Sequence, residues 1–230
     1  MTDFPISDRN RVRRLPARAS YDREAVFAVL DAALVAHIGY VLDGQPFVTP
    51  TSFWRHGTRL YWHGSVGGRM LKAQAKELPV CISVTLLDGL VLARAAFHHS
   101  LNYRSVTVFG TARPVPEEGR AAALEAFLER VYPGRSAQAR PGNAAELKQT
   151  AVMVLEIEEA VVKIRSGPPK DDPEDQDLPV WTGVVPLRLT VGPLEPDGPG
   201  RPGVPGPGPW DSAEGQAFDQ VLAALTGRDY

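Results

Sequence analysis

The most informative segment of the sequence is Leu60-Tyr61-Trp62-His63-Gly64-Ser65-Val66-Gly67-Gly68-Arg69-Met70-Leu71-Lys72. A strand ends near His63, and the glycines that follow allow the backbone to approach a neighbour closely before a helix begins. Backbone N–H groups and the helix dipole favour anions at such a corner, and Arg69 adds a charge-assisted donor. The segment therefore predicts a binding corner for a phosphate group. An ordinary glycine-rich turn with a surface arginine has the same pattern, so both interpretations stay open.

The residues before this segment predict an antiparallel meander. Two alternating runs, Ala36–Leu42 and Phe47–Trp54, flank Asp43-Gly44. This dipeptide favours the positive φ angles of a tight hairpin turn. A second turn signal at Arg55–Thr58 leads into Leu60–His63. Three consecutive strands of one sheet are therefore expected.

Hydrophobic periods of two and of 3.6 residues predict the other elements of the chain. Helices are expected at Asp22–Leu34, Arg69–Leu78 and Glu117–Val131. Further strands are expected at Val80–Leu87, Leu90–Ala96, Ser105–Val115, Ala151–Ile157 and Ala160–Arg165. Because few strands are separated by a helix, this order favours a closed, mostly antiparallel barrel over a doubly wound sheet.

We expect one barrel domain with extensions at both ends. Residues 1–19 are predicted to be an N-terminal arm and residues 20–167 the domain. Residues 168–191 are predicted to dock on the barrel, and residues 192–230 to form a tail. The tail is rich in proline and glycine, which opposes a packed core, and Phe218–Leu225 has the spacing of a short terminal helix.

The composition argues against several classes of function. The 230 residues carry a net charge of -2, so no basic excess favours a nucleic acid or an anionic membrane as partner. The single cysteine, Cys81, excludes an intramolecular disulfide and suits a reducing cytoplasm. No signal-peptide pattern is evident, and no apolar run is long enough to cross a bilayer. A cytoplasmic protein with a small-molecule substrate is expected.

Four histidines raise the question of a metal or heme site. His98-His99, together with His63 or His56, could supply ligands to a metal ion or a heme iron. Adjacent residues of a strand point to opposite faces, so His98 and His99 do not readily serve one ion. We therefore predict no metal site.

Several motifs that occur in order resemble one known family. They are Arg18-Ala19-Ser20-Tyr21-Asp22, Thr49-Pro50-Thr51-Ser52, Leu60-Tyr61-Trp62-His63-Gly64-Ser65, Asn102-Tyr103-Arg104-Ser105-Val106, Arg165-Ser166-Gly167-Pro168-Pro169 and Trp181-Thr182-Gly183-Val184. Together they are similar to the pyridoxamine 5′-phosphate oxidase-like flavin-binding proteins, in particular the flavin-nucleotide-binding and nitroimidazole-resistance-like branch. The resemblance extends from residue 18 to residue 190. It implies a mainly β fold with flanking helices, a six- to seven-stranded antiparallel split β-barrel.

The resemblance also implies a homodimer that holds two molecules of flavin mononucleotide (FMN) at the subunit interface. A strand lies along the flavin ring, and its residues here, acting in part through their backbone, are Thr49, Pro50, Thr51 and Ser52. The phosphate and ribityl region is matched by His63, Gly64, Ser65, Arg69 and Lys72. The residues that close the site from the partner subunit are Asn102, Tyr103 and Ser105. Trp181 either covers a flavin edge or docks the tail on the barrel.

The function implied by the resemblance is that of an FMN-dependent oxidoreductase. It would pass electrons from NADH or NADPH to a small organic acceptor, such as a nitro compound. The family's oxidases have a Ser-Arg-Lys run where this chain has Gly68-Arg69-Met70, so the cationic pair is altered. Pyridoxamine-phosphate oxidase activity is not expected, because the last forty residues offer only Arg201 and Arg228 to the substrate's phosphate.

No catalytic acid or base is nominated, since a flavin supplies hydride chemistry on its own. Two alternatives remain beside the oxidoreductase. One is a non-catalytic flavin carrier or sensor. The other is a barrel that binds heme or a deazaflavin instead.

Overall fold

The computed structural model describes residues 3–198 and 206–225. Its strands and helices in chain order are β1 (Ala19–Ser20), α1 (Arg23–Asp31), β2 (Val35–Leu42), β3 (Gln45–His56), β4 (Arg59–Ser65), α2 (Arg69–Gln74), β5 (Leu78–Leu92), β6 (Ser100–Pro114), α3 (Glu117–Val131), α4 (Ala144–Gln149), β7 (Thr150–Glu156), β8 (Glu159–Arg165), β9 (Gly183–Pro186) and α5 (Phe218–Leu225). The predicted mainly β class with flanking helices is confirmed. The terminal helix expected at Phe218–Leu225 is also present.

The described residues divide into two compact units. The first unit comprises residues 3–30, 83–108 and 158–188. The second comprises residues 31–82, 109–157 and 189–198 with 206–225. The domain boundaries expected from the sequence stay predictions. No helix in the described ranges combines the length and the apolar character that crossing a bilayer requires.

In the second unit, β2, β3 and β4 form the predicted antiparallel meander. β2 pairs with β3 along its whole length. Asp43 and Gly44 connect them at φ angles of 51° and 75°, the left-handed values that the sequence predicts for a tight turn. β3 then pairs with β4, with Phe53 opposite Trp62, and β4 pairs with β7 over the whole of both strands. The hairpin and the meander are therefore confirmed.

The two faces of the β3–β4 ribbon are covered by different helices. Trp62 is fully buried on one face, where its indole N–H donates to the side-chain oxygen of Gln74 in α2 at 2.9 Å. Trp54 stacks on Tyr61 on the other face, with ring centroids 5.6 Å apart, and lies 5.1 Å from the ring of Phe127 in α3. Because neighbouring side chains of a strand point to opposite faces, α2 and α3 cover opposite sides of this ribbon.

The two strands expected at Val80–Leu87 and Leu90–Ala96 form one strand as far as Leu92, because β5 runs through Asp88 and Gly89 without a break. In the first unit Asp88 accepts hydrogen bonds from the Arg104 guanidinium on β6, at 3.0 Å from Nε and 2.7 Å from Nη2. Gly89 lies against β9, where an added Cβ would meet the Val184 side chain at 2.9 Å. The dipeptide thus serves a close contact between strands, which its local sequence does not distinguish from a turn.

Two short strands and one helix have no counterpart among the predicted elements. β1 has two residues and β9 four, and each is defined by its pairing, β1 with β8 and β9 with β5. Such short segments carry too few residues to display a period of two. The helix α4 is capped by Asn143, whose side chain accepts from the Glu146 backbone while the Glu146 side chain accepts from the Asn143 backbone.

The N-terminal residues are anchored within the first unit. Phe4 is buried with its ring 6.0 Å from that of Phe27, in an edge-to-face arrangement. The Arg23 guanidinium lies 4.2 Å above the Phe4 ring. Arg9 forms an ion pair with Glu159 of β8 at 3.0 Å. The predicted arm therefore contributes both an apolar and a charged contact to this unit.

A buried ion pair lies in the second unit, at the end of α1. Asp31 accepts from Arg55 Nε at 3.0 Å and from Arg55 Nη2 at 2.6 Å, and both side chains are 2% exposed. Arg130 of α3 adds a hydrogen bond to the backbone carbonyl of Asp31. Removing one partner of such a pair leaves a buried charge without compensation, which is strongly destabilising.

We therefore expect Asp31→Asn to lower the free energy of unfolding by about 3–5 kcal/mol, measured by urea denaturation. The control is Glu146→Gln in the exposed Arg140–Glu146 pair, whose N–O distance of 2.7 Å is close to the 2.6 Å of the buried pair. Solvent screens that pair, so a change below about 1 kcal/mol is expected there. A wild-type unfolding midpoint for Asp31→Asn would show that the buried pair does not stabilise the fold.

Candidate functional site

The glycine-rich corner between β4 and α2 has its backbone donors engaged within the protein. The Val66 N–H donates to the Gln149 carbonyl at 3.0 Å, and the Gly68 N–H donates to the Ser65 carbonyl at 2.9 Å. The Gly67 N–H donates to the Ser65 hydroxyl at 3.2 Å. These three successive amides already have acceptors. They are therefore not available to an anion held at this corner.

Two glycines of the corner are required by packing. At Gly64 an added Cβ would lie 3.0 Å from Leu71 Cδ2 of α2, and at Gly68 it would lie 3.1 Å from the Ser65 carbonyl oxygen. Both distances are shorter than ordinary van der Waals contacts, so a side chain at either position would require its neighbour to shift by a few tenths of an ångström. The glycines therefore serve the close approach of α2 to β4.

Arg69 and Lys72 supply the charge at this corner. Both side chains are exposed, and neither forms an ion pair with a carboxylate in the part of the chain that the structure describes. The Arg69 guanidinium lies 5.0 Å from the centroid of the Phe47 ring, which in turn stacks on Tyr40 at 5.5 Å. Two cations and an aromatic pair thus lie together beside the corner, an arrangement suited to an anionic ligand with a flat ring.

The strand segment Thr49–Ser52 is paired on one edge only in the described structure. It pairs with residues 35–38 of β2, whereas the pairing of β3 with β4 begins at Phe53. Strand alternation places Thr49 and Thr51 on one face and Pro50 and Ser52 on the other. The segment therefore presents backbone donors and acceptors along its second edge.

The His63 side chain lies on the other face of the ribbon from α2. Its ring centroid is 5.0 Å from that of Phe127 and 6.0 Å from that of Trp54. Its Nδ1 atom is buried and has no hydrogen-bond partner among the described residues. Burial lowers the pKa of His63 below its ordinary value, so the imidazole is neutral at neutral pH. The structure thus separates the His63 imidazole from Gly64 and Arg69.

A cavity of about 350 Å³ lies beside Phe127 in the second unit. Apolar side chains of α3 form much of its wall, among them Leu124, Phe127 and Leu128, and Arg140 and Glu125 also line it. Phe127 lines this cavity and also contacts His63 on the ribbon. The same side chain therefore lies against both the cavity and the imidazole. Periodicity predicted the apolar face of α3 but not a cavity, which depends on the segment that follows the helix.

The candidate residues of β6 lie in the first unit and are engaged there. Asn102 is buried, accepts a hydrogen bond from Arg165 and donates to the Gly167 carbonyl at 3.1 Å. Ser105 donates its hydroxyl to the Lys163 carbonyl at 3.2 Å. Tyr103 lies between them on the strand and is half-buried. Arg165 was not nominated from the sequence, although it belongs to one of the quoted motifs.

Trp181 is an exposed residue of the first unit. Its side chain is 64% exposed, and its ring lies so close to Gly183 that a Cβ there would meet the indole at 2.8 Å. Gly183 adopts a φ of 158°, at the start of β9. A largely exposed indole at this position is accessible to a ligand or to another chain.

His98 does not lie on a strand, contrary to the argument made from the sequence. It ends a short 3-10 helix at Ala96–His98, and its Nε2 atom lies 3.0 Å from Asp172. The ligand atoms of His98, Asp172 and Asp175 lie within 4.8 Å of one another. His99 instead forms a hydrogen bond with the Ala95 carbonyl at 3.1 Å. A distant acidic segment creates this cluster, which sequence spacing did not reveal.

Comparison with known proteins agrees with this architecture. Residues 22–164 match the family model for pyridoxamine 5′-phosphate oxidase. Among solved structures, the flavocytochrome Anf3 from Azotobacter vinelandii is 47% identical, with a TM-score of 0.83 over 88% of this chain and 94% of that chain. An FAD and heme binding protein from Mycobacterium smegmatis is 36% identical, with a TM-score of 0.78 over 82% of this chain and 93% of that chain.

A more distant structure shares the fold alone. It is that of a candidate 5-nitroimidazole antibiotic resistance protein from Bacteroides thetaiotaomicron, 17% identical, with a TM-score of 0.52 over 64% of this chain and 86% of that chain. No curated protein sequence matches the chain. The predicted family and its split-barrel fold class are confirmed. Because the family model covers more than half of its residues, the chain belongs to the pyridoxamine 5′-phosphate oxidase family.

Proposed function

We propose that this chain binds a flavin nucleotide and acts as an oxidoreductase that passes electrons from NADH or NADPH to a small organic acceptor. The observation that carries the proposal is the 47% identity, over 88% of the chain, with a protein named as a flavocytochrome. The resemblance in sequence favours FMN, whereas the second relative is named for FAD, so the proposal covers both nucleotides. A bound flavin supplies hydride and electron transfer, and the chain binds and orients it.

In this proposal the flavin ring lies along Thr49–Ser52. The edge of this segment that faces away from β2 supports the proposal. Its backbone groups can contact the polar atoms of the flavin ring. Thr49 and Thr51 lie on the face towards Phe47, and the Arg69 guanidinium lies over that aromatic ring. The proposed position of the flavin ring and the cationic corner therefore lie on the same surface of the second unit.

The flavin phosphate is proposed to bind the side chains of Arg69 and Lys72. The amides of residues 66–68 are engaged by Gln149 and Ser65, so they contribute little to an anion. Arg69 offers a planar fork of donors that matches a phosphate, and Lys72 follows one turn later in α2. Asn102, Tyr103 and Ser105 stay proposed contacts that a partner subunit supplies. Trp181 stays a residue that either covers a flavin edge or docks the tail on the barrel.

The partner is proposed to be a second copy of this chain, as the resemblance implies. The supporting feature is an exposed apolar strip on one face of the β2–β3 hairpin. Val35, Val41 and Val48 are 53%, 55% and 67% exposed there. The register places Gly39 opposite Val48, so residues of both strands share this face. Contact between two such strips would remove apolar surface from water.

The first experiment separates an enzyme from a carrier. The purified protein is expected to be yellow, and mass spectrometry of the released molecule will identify FMN or FAD. With a nitro compound as acceptor, the holoprotein is expected to oxidise NADH or NADPH faster than the same concentration of free flavin does. Flavin binding without such acceleration would support a carrier or sensor instead. A colourless protein that takes up neither flavin would overturn the proposal.

The phosphate assignment is tested by Arg69→Ala. Loss of a charge-assisted, bidentate contact is expected to weaken FMN or FAD binding by more than tenfold, about 1.5–3 kcal/mol, in a fluorescence titration. Riboflavin lacks the phosphate, so its affinity should change little. Lys148→Ala, an exposed cation of α4, is the matched control and should bind all three ligands as the wild type does. Equal losses for riboflavin and FMN would assign Arg69 to the ring instead.

A second candidate function is heme binding through His63. Both relatives support it by name, one as a flavocytochrome and one as an FAD and heme binding protein. The residues present fit the group, because a neutral imidazole with an unpartnered nitrogen, among Trp54 and Phe127, would be a suitable ligand for a heme iron in an apolar setting. A bound heme would supply one-electron transfer.

Heme binding is tested by reconstitution with hemin and His63→Ala. The wild type is expected to develop a shifted Soret band, and His63→Ala to lose it while keeping its flavin affinity. His56→Ala, an exposed histidine of β3, is the control and should retain the band. Because burial lowers the pKa of His63, the band should persist on acidification past about pH 6.5, where an ordinary histidine is half protonated. An unchanged band in His63→Ala would exclude this ligand.

A further inference from the structure

Arg165 in the first unit is a buried cation with only neutral acceptors. It ends β8 and is 8% exposed. Its Nη1 atom donates to the side-chain oxygen of Asn102 and, at 3.5 Å, to the Gly167 carbonyl. Its Nε atom is buried and has no hydrogen-bond partner in the described chain. No carboxylate among the described residues forms an ion pair with it.

Two other arginines show one way in which this protein compensates a guanidinium. Arg55 directs Nε and Nη2, the two donors on one edge, at Asp31. Arg104 directs the same two atoms at Asp88. This edge matches the two oxygens of a carboxylate or a phosphate in a bidentate arrangement. In Arg165 the corresponding edge meets no acceptor of the described chain, while the opposite nitrogen is held by Asn102.

A second cation lies close to Arg165. The antiparallel pairing of Ala19 with Lys163 brings Arg18 alongside the end of β8. Burial lowers the pKa of Arg165, and the positive charge of Arg18 lowers it further. Arg18 itself forms no ion pair with a described residue. Two like charges, one of them buried, cost free energy in the absence of a nearby anion, and a bound anion relieves that cost.

We propose that Arg165 and Arg18 form a binding site for a phosphoryl group, with Asn102 holding the Arg165 guanidinium in place. A phosphate rather than a single carboxylate is favoured because its two negative charges match the two arginines. The hydrogen bonds from Nη1 to Asn102 and Gly167 fix the plane of the guanidinium, so its Nε and Nη2 edge is oriented before the ligand arrives. The phosphoryl group belongs either to the flavin nucleotide or to a separate phosphate-bearing ligand.

The test uses the full chain, prepared free of flavin, and inorganic phosphate as the probe. Isothermal titration calorimetry at constant ionic strength is expected to give saturable phosphate binding. Arg165→Lys keeps the charge but loses the fork, and should weaken phosphate binding by about tenfold or more. Arg18→Ala, which alters a partly exposed side chain, should weaken it as well and serves if Arg165→Lys fails to fold. Arg13→Ala, with a side chain 75% exposed, is the control and should bind phosphate normally.

A second titration identifies the source of the phosphoryl group. If the site takes the flavin's phosphate, Arg165→Lys will weaken FMN or FAD binding but not riboflavin binding, and phosphate will compete with the nucleotide. If the ligand is separate, the flavin-loaded protein will bind inorganic phosphate as tightly as the flavin-free protein. Either result supports the site. The first would move the phosphate of FMN from Arg69 to Arg165, and the second is independent of the Arg69 assignment. Absence of phosphate binding, or equal affinity in the wild type, Arg165→Lys and Arg18→Ala, would overturn it.

Discussion

The antiparallel register of β3 and β4, with Phe53 opposite Trp62, is the constraint on which the second unit depends. Side chains alternate along a strand, so this pairing directs Trp62 and Gly64 towards α2 and directs His63 towards α3. A shift by one residue would exchange the two faces and expose the fully buried indole. In the same register, the pairing of β3 with β4 does not include Thr49–Ser52. One edge of this segment therefore stays unpaired in the described structure, and it is the edge proposed for the flavin ring.

Arg55, Arg104 and Arg165 show two kinds of environment that differ in their consequences. Arg55 and Arg104 each direct the same edge of the guanidinium at an aspartate, which stabilises a buried or half-buried charge. Arg165 is held by an amide and a carbonyl, so its charge is oriented without being neutralised. The first arrangement stabilises the fold, and the second is suited to bind an anion. Sequence spacing does not separate them, since the partners are distant along the chain.

Much of the architecture follows from local pattern. Asp43-Gly44 predicted a tight turn because few other residues tolerate two successive left-handed conformations, and the structure has that turn. The apolar face of Glu117–Val131 predicted a helix over the bounds observed. Val80–Leu87 and Leu90–Ala96 were predicted as two strands, but they belong to one, because Asp88-Gly89 also suits a close contact between strands. The glycine corner was predicted as a turn into a helix. The sequence did not show that the corner's amides donate to the carbonyl groups of Gln149 and Ser65.

The sequence by itself determined the mainly β class, the meander, the main helices and the family, because these follow from periodicity within a few residues and from motifs in a fixed order. Only the tertiary structure decided which face each candidate residue occupies and which partner it meets. His63 and Arg69 are close in sequence, yet packing of α3 and α2 separates their side chains. Asn102 and Arg165 are distant in sequence and meet through strand pairing. Such contacts depend on long-range packing, which local residue patterns do not encode.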